Sequence, residues 1–382
     1  MRAREAGIRI GLLDPGPLDA ITDVPGVRVG HETLIAGEGP LVVGRGPVRT
    51  GVTVILPRPE HAWDAPLFAG CHTLNGAGEM TGLEWLRESG TLSGPVAITN
   101  THSVGVVRDA LIAYEAEMRA VDGSGGGHWW SLPVVAETYD GTLNDINGMH
   151  VRAAHVRRAL DSAASGPVAE GNVGGGTGMI CFGFKGGIGT ASRVVGREAG
   201  GYTVGALVQA NYGRRERLRI DGVPVGEAIP TSEVPRPARP DAPPPGSGSI
   251  IVVLATDAPL LPRQCDRLAQ RAGLGVARTG GGDGNTSGDI FLVFSTGNAG
   301  LPAEHGSGIP VRSSVEMLAN VYLSELLAAA IEATEAAIVN ALWAAETMVG
   351  RDGIVAHGLD HARLVEVMAP RANSRRMSTG FP

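Results

Sequence analysis

The chain has 382 residues, of which 43% are hydrophobic and 19% are charged, so it is long enough for a large core and too apolar to be disordered. Its net charge is −7 and its basic residues form no cluster, which argues against a nucleic-acid partner. The sequence contains no uninterrupted apolar run of about 18 residues, so we expect no membrane span.

The cysteines are few, far apart and in no CxxC pattern. Cys71, Cys181 and Cys265 are therefore predicted to be small buried hydrophobic residues in a reducing compartment. The first seven residues lack the apolar core of a signal peptide, since an acid and a glycine interrupt them. A cytoplasmic location is the resulting expectation.

The first half of the chain alternates short apolar runs with glycine- and proline-rich turns, a pattern typical of strands. Ser103 is predicted to cap a long helix, because apolar residues between 106 and 114 follow it on one helical stripe. The predicted elements are strands within 21–29 and at 51–56, 96–99 and 132–136, helices at 83–89, after 103 and at 150–164, and a flexible loop at 123–127.

In the second half, residues 214–245 are charged and rich in proline, which is the strongest change of composition in the sequence. Strands grouped in runs, without strict alternation with helices, predict a layered α+β sandwich. The predicted elements are a short strand near 180, strands at 202–210, 250–256 and 289–295, a helix at 261–272, a glycine-rich turn at 280–288, and a helical region at 314–349 that we expect to form two helices.

Several familiar kinds of active site are disfavoured. The glycines of 178–185 lack the GK[ST] ending of a phosphate loop, and those of 280–288 precede a strand instead of a helix. His357 and His361 have the spacing of a metal-binding pair, but Gly358 weakens a helix there and no third ligand is near. No Gly-x-Ser-x-Gly elbow supports a Ser-His-Asp hydrolase. We therefore expect neither a cofactor nor a metal.

A proline-rich loop meets an apolar strand at Gly248–Ser249, directly after the residues Pro-Pro-Pro-Gly-Ser at 243–247. One interpretation is an interdomain linker. The other is a self-cleavage site, at which the Ser249 hydroxyl attacks the Gly248 carbonyl and Ser249 becomes a new N-terminus. An α-amine has a pKa near ~8, so the freed amine can act as general base toward its own hydroxyl. Ser247 also follows a glycine, so a cut at 246/247 is an alternative, but Ser249 directly abuts the strand.

Ser287 and Asp289 flank a glycine at the start of the next predicted strand. If the strands at 250–256 and 289–295 are neighbours, a hydroxyl and a carboxylate can reach the new amine and orient it. A plain turn is the alternative interpretation of these residues.

Motifs spread over nearly the whole chain resemble the L-aminopeptidase/D-Ala-esterase/amidase family, the DmpA type that includes the β-aminopeptidases. Gly248–Ser249 and Ser287–Asp289 belong to this resemblance. The other matching segments are residues 26–31, 75–82, 99–105, 137–141, 183–190, 209–213 and 278–281.

The resemblance implies an αββα four-layer sandwich, shared with the ornithine acetyltransferases, in which residues 1–382 form one domain. It further implies cleavage into an α chain of 1–248 and a β chain of 249–382, and an assembly of four αβ units. The implied substrate is a small peptide, amide or ester with a free amino group.

By the same resemblance, Ser249 is the nucleophile, and its freed amine lies near Ser287 and Asp289. Many relatives carry glutamate at the position of Asp289. The resemblance also implies that Asn211 helps to form the oxyanion hole, that Tyr139 is a further donor beside it, and that Glu137 holds the amino group of the substrate.

Two other functions stay open for a chain of this kind. One is acyl transfer of the ornithine acetyltransferase type, whose nucleophile is threonine, so the serine here favours hydrolysis. The other is a non-catalytic assembly with the same fold, which the joint presence of Ser249, Ser287, Asp289 and Asn211 disfavours.

Overall fold

The structure is a computed structural model that describes residues 2–122, 130–238, 248–303 and 309–378. The predicted loop at 123–127 and the proline-rich residues 243–247, Ser247 among them, lie outside these ranges.

The secondary structure of the described residues is as follows. The strands are β1 (Arg28–Ala36), β2 (Val48–Leu56), β3 (Leu67–Gly76), β4 (Thr91–Leu92), β5 (Val96–Asn100), β6 (Val134–Thr138), β7 (Ile180–Cys181), β8 (Phe184–Lys185), β9 (Gly187–Val194), β10 (Thr203–Asn211), β11 (Gly248–Thr256), β12 (Ser287–Ser295), β13 (Met348–Val349) and β14 (Val355–Ala356). The helices are α1 (Leu83–Ser89), α2 (Val104–Asp122), α3 (Ala153–Asp161), α4 (Val225–Ala228), α5 (Pro262–Arg278), α6 (Leu323–Ala344) and α7 (His361–Ser378).

Two large sheets carry the fold. The smaller sheet has four strands in the order β1-β2-β5-β6, and the larger has six in the order β4-β3-β12-β11-β10-β9. In the larger sheet, β11 pairs parallel with β12 and antiparallel with β10. The strands predicted at 250–256 and 289–295 are therefore neighbours.

The two sheets stack face to face, with helices on the outside. Ile251 and Val253 of β11 pack between the sheets, whereas Ile250 and Val252 pack against the helical layer of α5 and α6. A third core joins the outer face of the smaller sheet to α2 and α3. The order of layers is helix, sheet, sheet, helix, which confirms the αββα four-layer sandwich.

This alternation decides where Ser249 lies. Successive side chains of a strand point to opposite faces, so Ser249 shares a face with Ile251 and Val253. The serine therefore stands at the end of β11 on the face that looks toward the smaller sheet. Residues of both sheets can therefore contribute side chains to a site around Ser249.

Helix α6 is the most apolar helix of the described chain. Together with the short turn before it, over Asn320–Ala344, it is long and apolar enough to cross a membrane, but 89% of the qualifying window is buried inside the protein. It packs against β9, β10 and α5. We therefore interpret α6 as a core helix of the sandwich.

The prediction of two helices at 314–349 is wrong. Residues 314–319 are not helical, and α6 is a single helix. The reason is tertiary: the side-chain amide of Asn298 accepts from the backbone N–H of Glu316 at 2.8 Å and donates to its carbonyl at 3.1 Å. These bonds take backbone groups that a helix would need.

Two smaller predictions also need correction. Ser103 does not cap the long helix, because it is the last residue of a 3-10 turn, Thr101–Ser103, that leads directly into α2; Asn100 caps this turn, and its side chain accepts from the backbone N–H of His102 at 3.1 Å. The glycine-rich turn ends before Ser287, which begins β12, so the interpretation of Ser287–Asp289 as a plain turn is wrong.

Candidate active site

Ser249 stands at the start of a central strand, where its surroundings are fixed by main-chain pairing. In the sheet register it lies opposite Asn211 of β10 and Gly288 of β12. Its side chain is buried, with 5% of the residue exposed. The Ser249 hydroxyl donates to the Gly248 carbonyl at 2.8 Å and accepts from the backbone N–H of Gly288 at 3.2 Å. The hydroxyl thus lies beside the one peptide bond that self-cleavage would break.

Gly248 is the residue before this hydroxyl, and its position admits no side chain. A Cβ built on Gly248 would lie 2.2 Å from the carbonyl oxygen of Asn211 and 2.9 Å from the Cα of Tyr212. Both are buried main-chain atoms, at the last residue of β10 and the residue after it, and they cannot move aside cheaply. Glycine is therefore required here by close packing.

Ser287 and Asp289 lie on the neighbouring strand and contact each other. The Ser287 hydroxyl donates to Oδ1 of Asp289 at 2.6 Å, and only 1% of Asp289 is exposed. Ser287 is paired with Gly248 in the register, and Asp289 with Ile250. Burial raises the pKa of Asp289, while the bonds from Ser287 and from the Ile250 backbone act against that rise. The pair therefore lies on the strand next to the Gly248–Ser249 peptide.

Asn211 lies beside Ser249, but its side chain already has partners. Its amide nitrogen donates to the carbonyl of Tyr139 at 3.0 Å, and its amide oxygen accepts from the backbone N–H of Ile180 at 2.8 Å. An amide nitrogen carries two hydrogens, so one donor is left beyond the bond to Tyr139. Asn211 contacts the backbone carbonyl of Tyr139, not its side chain. The hydroxyl of Tyr139 lies over Gly141, and a Cβ built on Gly141 would be 2.4 Å from that hydroxyl oxygen.

Glu137 occupies the end of β6, in the smaller sheet. It is 3% exposed, its Oε1 accepts from the backbone N–H of Glu79 at 3.0 Å, and its Oε2 accepts from the hydroxyl of Thr101. Burial raises the pKa of this carboxyl, and these two donors oppose the rise. A buried carboxylate held in this way can receive an ammonium group.

Three contributors to the site escaped the sequence analysis. The first is the Gly288 N–H, which points at Ser249 Oγ and depends on register alone. The second is Thr101, which binds Glu137. The third is Asn75, whose amide nitrogen donates to the carbonyl of Ser287 and to the carbonyls of Gly284 at 3.1 Å and Asn285 at 3.0 Å. Asn75 and Thr101 lie in the matching segments 75–82 and 99–105, but these motifs do not indicate which groups the two side chains bind.

Other ionisable residues do not gather into a metal site. In the ranges that the structure covers, no group of three or more His, Cys, Asp or Glu side chains could hold a metal ion. The ring of His361 stacks on Trp343 at 3.8 Å between centroids, and its Nε2 lies 2.6 Å from the Trp343 carbonyl oxygen. His361 therefore packs the start of α7 against Trp343 of α6. Cys71, Cys181 and Cys265 are free and buried.

Comparison with known proteins places this geometry in context. The family model described as Peptidase family S58 matches residues 19–356. The beta-peptidyl aminopeptidase of Sphingosinicella microcystinivorans is 52% identical over 96% of this chain and 91% of its own length.

Solved structures give the same picture. A Burkholderia beta-aminopeptidase is 57% identical, with a TM-score of 0.89 over 97% of this chain and 99% of the other. The L-aminopeptidase D-Ala-esterase/amidase of Ochrobactrum anthropi, described as a variant of the Ntn hydrolase fold, is 47% identical, with a TM-score of 0.87 over 97% and 98%.

Proposed function

We propose, from the premise that this chain belongs to peptidase family S58 and is an N-terminal-nucleophile serine aminopeptidase, that Ser249 is its nucleophile and that cleavage after Gly248 activates it. The single domain of residues 1–382 would then consist of an α chain of 1–248 and a β chain of 249–382. The observation that carries this proposal is the position of Ser249 Oγ between the Gly248 carbonyl and the Gly288 N–H.

In the self-cleavage step, Ser249 Oγ attacks the carbonyl carbon of Gly248 and loses its proton. The C–N bond breaks, the nitrogen of Ser249 takes up a proton, and an ester joins Gly248 to the serine oxygen. Water then hydrolyses this ester, which releases the Gly248 carboxylate and restores the Ser249 hydroxyl with a free α-amine.

In the peptidase reaction, the same hydroxyl attacks the scissile carbonyl of the substrate and the free α-amine accepts its proton. Ser287 and Asp289, whose hydroxyl and carboxylate flank the new terminus, orient that amine. The oxyanion receives hydrogen bonds from the Gly288 N–H and from the remaining amide hydrogen of Asn211. Tyr139 holds Asn211 through its carbonyl, and its hydroxyl is a further candidate donor. The leaving amine takes the proton, and water hydrolyses the acyl-enzyme.

Glu137 supplies the recognition of an amino-terminal substrate. A substrate ammonium would bind its buried carboxylate, with Thr101 and the Glu79 N–H keeping the carboxylate in place. The relatives named as beta-peptidyl aminopeptidase and beta-aminopeptidase favour a substrate whose first residue is a β-amino acid. The substrate class that this mechanism serves is the small peptide, amide or ester with a free amino group.

The assembly and location complete the proposal. The mature enzyme is an oligomer of four αβ units, and its three buried free cysteines are compatible with the reducing cytoplasm. Acyl transfer to an amine acceptor is the weaker candidate, since the relatives described above carry aminopeptidase or amidase names.

Mass spectrometry under denaturing conditions tests the activation step. The intact chain has a mass of 39.3 kDa, and the purified protein should give two fragments that meet between residues 248 and 249. Ser249→Ala should give only the intact mass and no hydrolysis of aminoacyl p-nitroanilides. An intact wild-type mass after long incubation, or hydrolysis by the alanine variant, would refute the proposal, and a cut at 246/247 would move the nucleophile to Ser247.

A further inference from the structure

We propose that Gly78 is a specificity-determining position. Because neither Gly78 nor Gly288 has a side chain, their backbones pack directly against each other, and this contact sets the distance between the carboxylate of Glu137 and the nucleophile Ser249. That distance selects the number of carbons between the amine and the scissile carbonyl of the substrate. The inference rests on the proposed function, in which Glu137 holds the substrate amine.

The segment that carries Gly78 bridges the two sheets at the active-site end. At its start, Asn75 donates to the backbone carbonyl of Ser287, at the entry of β12. At its end, the backbone N–H of Thr81 donates to the carbonyl of Val135 at 3.0 Å, and the Thr81 hydroxyl accepts from the Val135 N–H at 3.0 Å. Both ends are anchored, one to each sheet, so the segment acts as a spacer between them.

Between these anchors, the backbone of Gly78 lies beside both the carboxylate of Glu137 and the residue that binds the nucleophile, Gly288. Glu137 Oε1 lies 3.1 Å from the place that a Cβ on Gly78 would occupy, and the Cα of Gly288 lies 3.0 Å from the same place. In the other direction, a Cβ on Gly288 would be 2.7 Å from the Cα of Gly78. Gly288 in turn donates to Ser249 Oγ. The two glycines therefore let the two backbones approach more closely than any residue with a side chain would.

Spacing is the property that separates the possible substrates. A β-amino acid has one more backbone carbon between its amine and its carbonyl than an α-amino acid, which adds a bond of about 1.5 Å. The relatives of this chain include enzymes named for β-amino acids and one named as an L-aminopeptidase. A methyl group inserted between Glu137 and Gly288 would widen the site by a few tenths of an ångström, in the direction that favours the longer substrate.

The test is Gly78→Ala, with Gly76→Ala as its matched control. Gly76 lies two residues away in the same segment, and a Cβ there meets only Thr73 Cγ2 at an ordinary 3.8 Å. The substrates are the p-nitroanilides of glycine, β-alanine and 4-aminobutyric acid, an unbranched series in which only the amine spacing changes. For each pair of adjacent substrates in this series, we compare kcat/KM for the longer substrate with kcat/KM for the shorter one. In Gly78→Ala this ratio should rise about threefold or more, whereas Gly76→Ala should keep the wild-type ratio.

A second variant keeps the inference testable if Gly78→Ala is not processed. Glu137→Asp withdraws the carboxylate by about 1.5 Å, and it too should penalise the shorter substrate more than the longer one. Equal losses on all three substrates, in a variant that mass spectrometry shows to be cleaved, would overturn the inference and leave the proposed function standing. A cleaved wild type that hydrolyses none of the three would instead refute the proposed function, and the inference with it.

Discussion

The two halves of the candidate site are built in different ways. On the larger sheet, Ser249, Gly288 and Asn211 are positioned by the register of three adjacent strands, so main-chain hydrogen bonds set their spacing. On the smaller sheet, the backbone of Glu137 is also held in register, opposite Thr99 of β5, but its carboxylate is positioned by a threonine hydroxyl and by one N–H of the bridging segment.

This difference has a physical consequence. A sheet register changes only in steps of a whole residue, and a slip by one residue would turn Ser249 to the opposite face. The half of the site on the larger sheet, which carries the nucleophile and which we call the chemical half, is therefore either correctly placed or not placed at all. The recognition half depends on individual side-chain bonds, each of which contributes a modest free energy and can be tuned separately. Substitutions that disturb the register or packing of the larger sheet should cause the largest losses, and those on the smaller sheet should grade the activity.

The largest effect is expected from Gly248→Ala. Its methyl group would overlap the Asn211 carbonyl of the next strand, so the peptide bond would be displaced from the Ser249 hydroxyl. Displacement on the scale of 1 Å should slow self-cleavage at least about 100-fold. The rate is measured by mass spectrometry of freshly purified protein over time. Gly105→Ala, where a Cβ meets no atom within 4 Å, is the control and should be cleaved normally; equal rates for the two variants would contradict the packing argument.

The next effect concerns the charge of the Ser287–Asp289 pair. Asp289→Asn removes the carboxylate that accepts the Ser287 hydroxyl bond and should lower kcat about 100-fold. Asp289→Glu keeps the charge and should retain most of the activity. Steady-state kinetics on a cleavable aminoacyl p-nitroanilide distinguishes them, and similar losses in the two variants would mean that packing, not charge, is required at this position.

Glu137→Gln should separate the two halves of the site. Self-cleavage involves no substrate amine, so processing should proceed normally. Hydrolysis should lose about 50-fold in kcat/KM, chiefly through a higher KM, because an amide cannot pair with an ammonium group. Fragment masses and Michaelis–Menten kinetics on the same preparation test both halves. An uncut Glu137→Gln protein would contradict the division proposed here.

The same residue predicts a pH dependence. Burial raises the pKa of Glu137, so in the free enzyme the carboxyl becomes neutral at a higher pH than an ordinary glutamic acid does. Since only the ionised form binds an ammonium, kcat/KM should fall as the pH is lowered through that raised pKa. In Glu137→Gln this part of the profile should be lost, and what remains of an acid limb belongs to other groups such as Asp289, whose pKa burial also raises.

The smallest effect is expected at Thr101. Thr101→Val removes one charge-assisted bond to Glu137, which should raise KM about three- to tenfold with little change in kcat. Thr101→Ser retains the hydroxyl and should remain close to the wild type. A large loss of kcat in the valine variant would place Thr101 in the chemical half instead.

The sequence predicted the two strands, because each is a short apolar run. Their pairing was only a condition of that argument, and the proximity of Ser249 to Ser287 and Asp289 followed from the family resemblance. The sequence could not predict the Gly288 N–H, since a main-chain donor is independent of residue type and is aimed by register alone. The bond between Thr101 and Glu137 was equally invisible, because the partners are 36 positions apart and belong to different strand ends.

The wrong prediction at 314–349 has the same origin. Local composition favours helix throughout, but the backbone of Glu316 is bound by the side chain of Asn298, 18 positions earlier in the chain. The sequence pattern predicted the helices and strands that pack through apolar residues. It could not predict a segment such as 314–319, whose backbone is held by a hydrogen bond from elsewhere in the fold.

The central position of β11 has one more consequence, for the physical status of the mature protein. Cleavage after Gly248 would leave β11 inserted between β10 of one polypeptide and β12 of its own, with α5 and α6 covering a sheet built from both pieces. Folding would then have used a covalent connection that no longer exists. Unfolding of the mature form would release two chains, and refolding would depend on their concentration. The lifetime of the active enzyme would therefore be set by its unfolding rate and not by a reversible folding equilibrium.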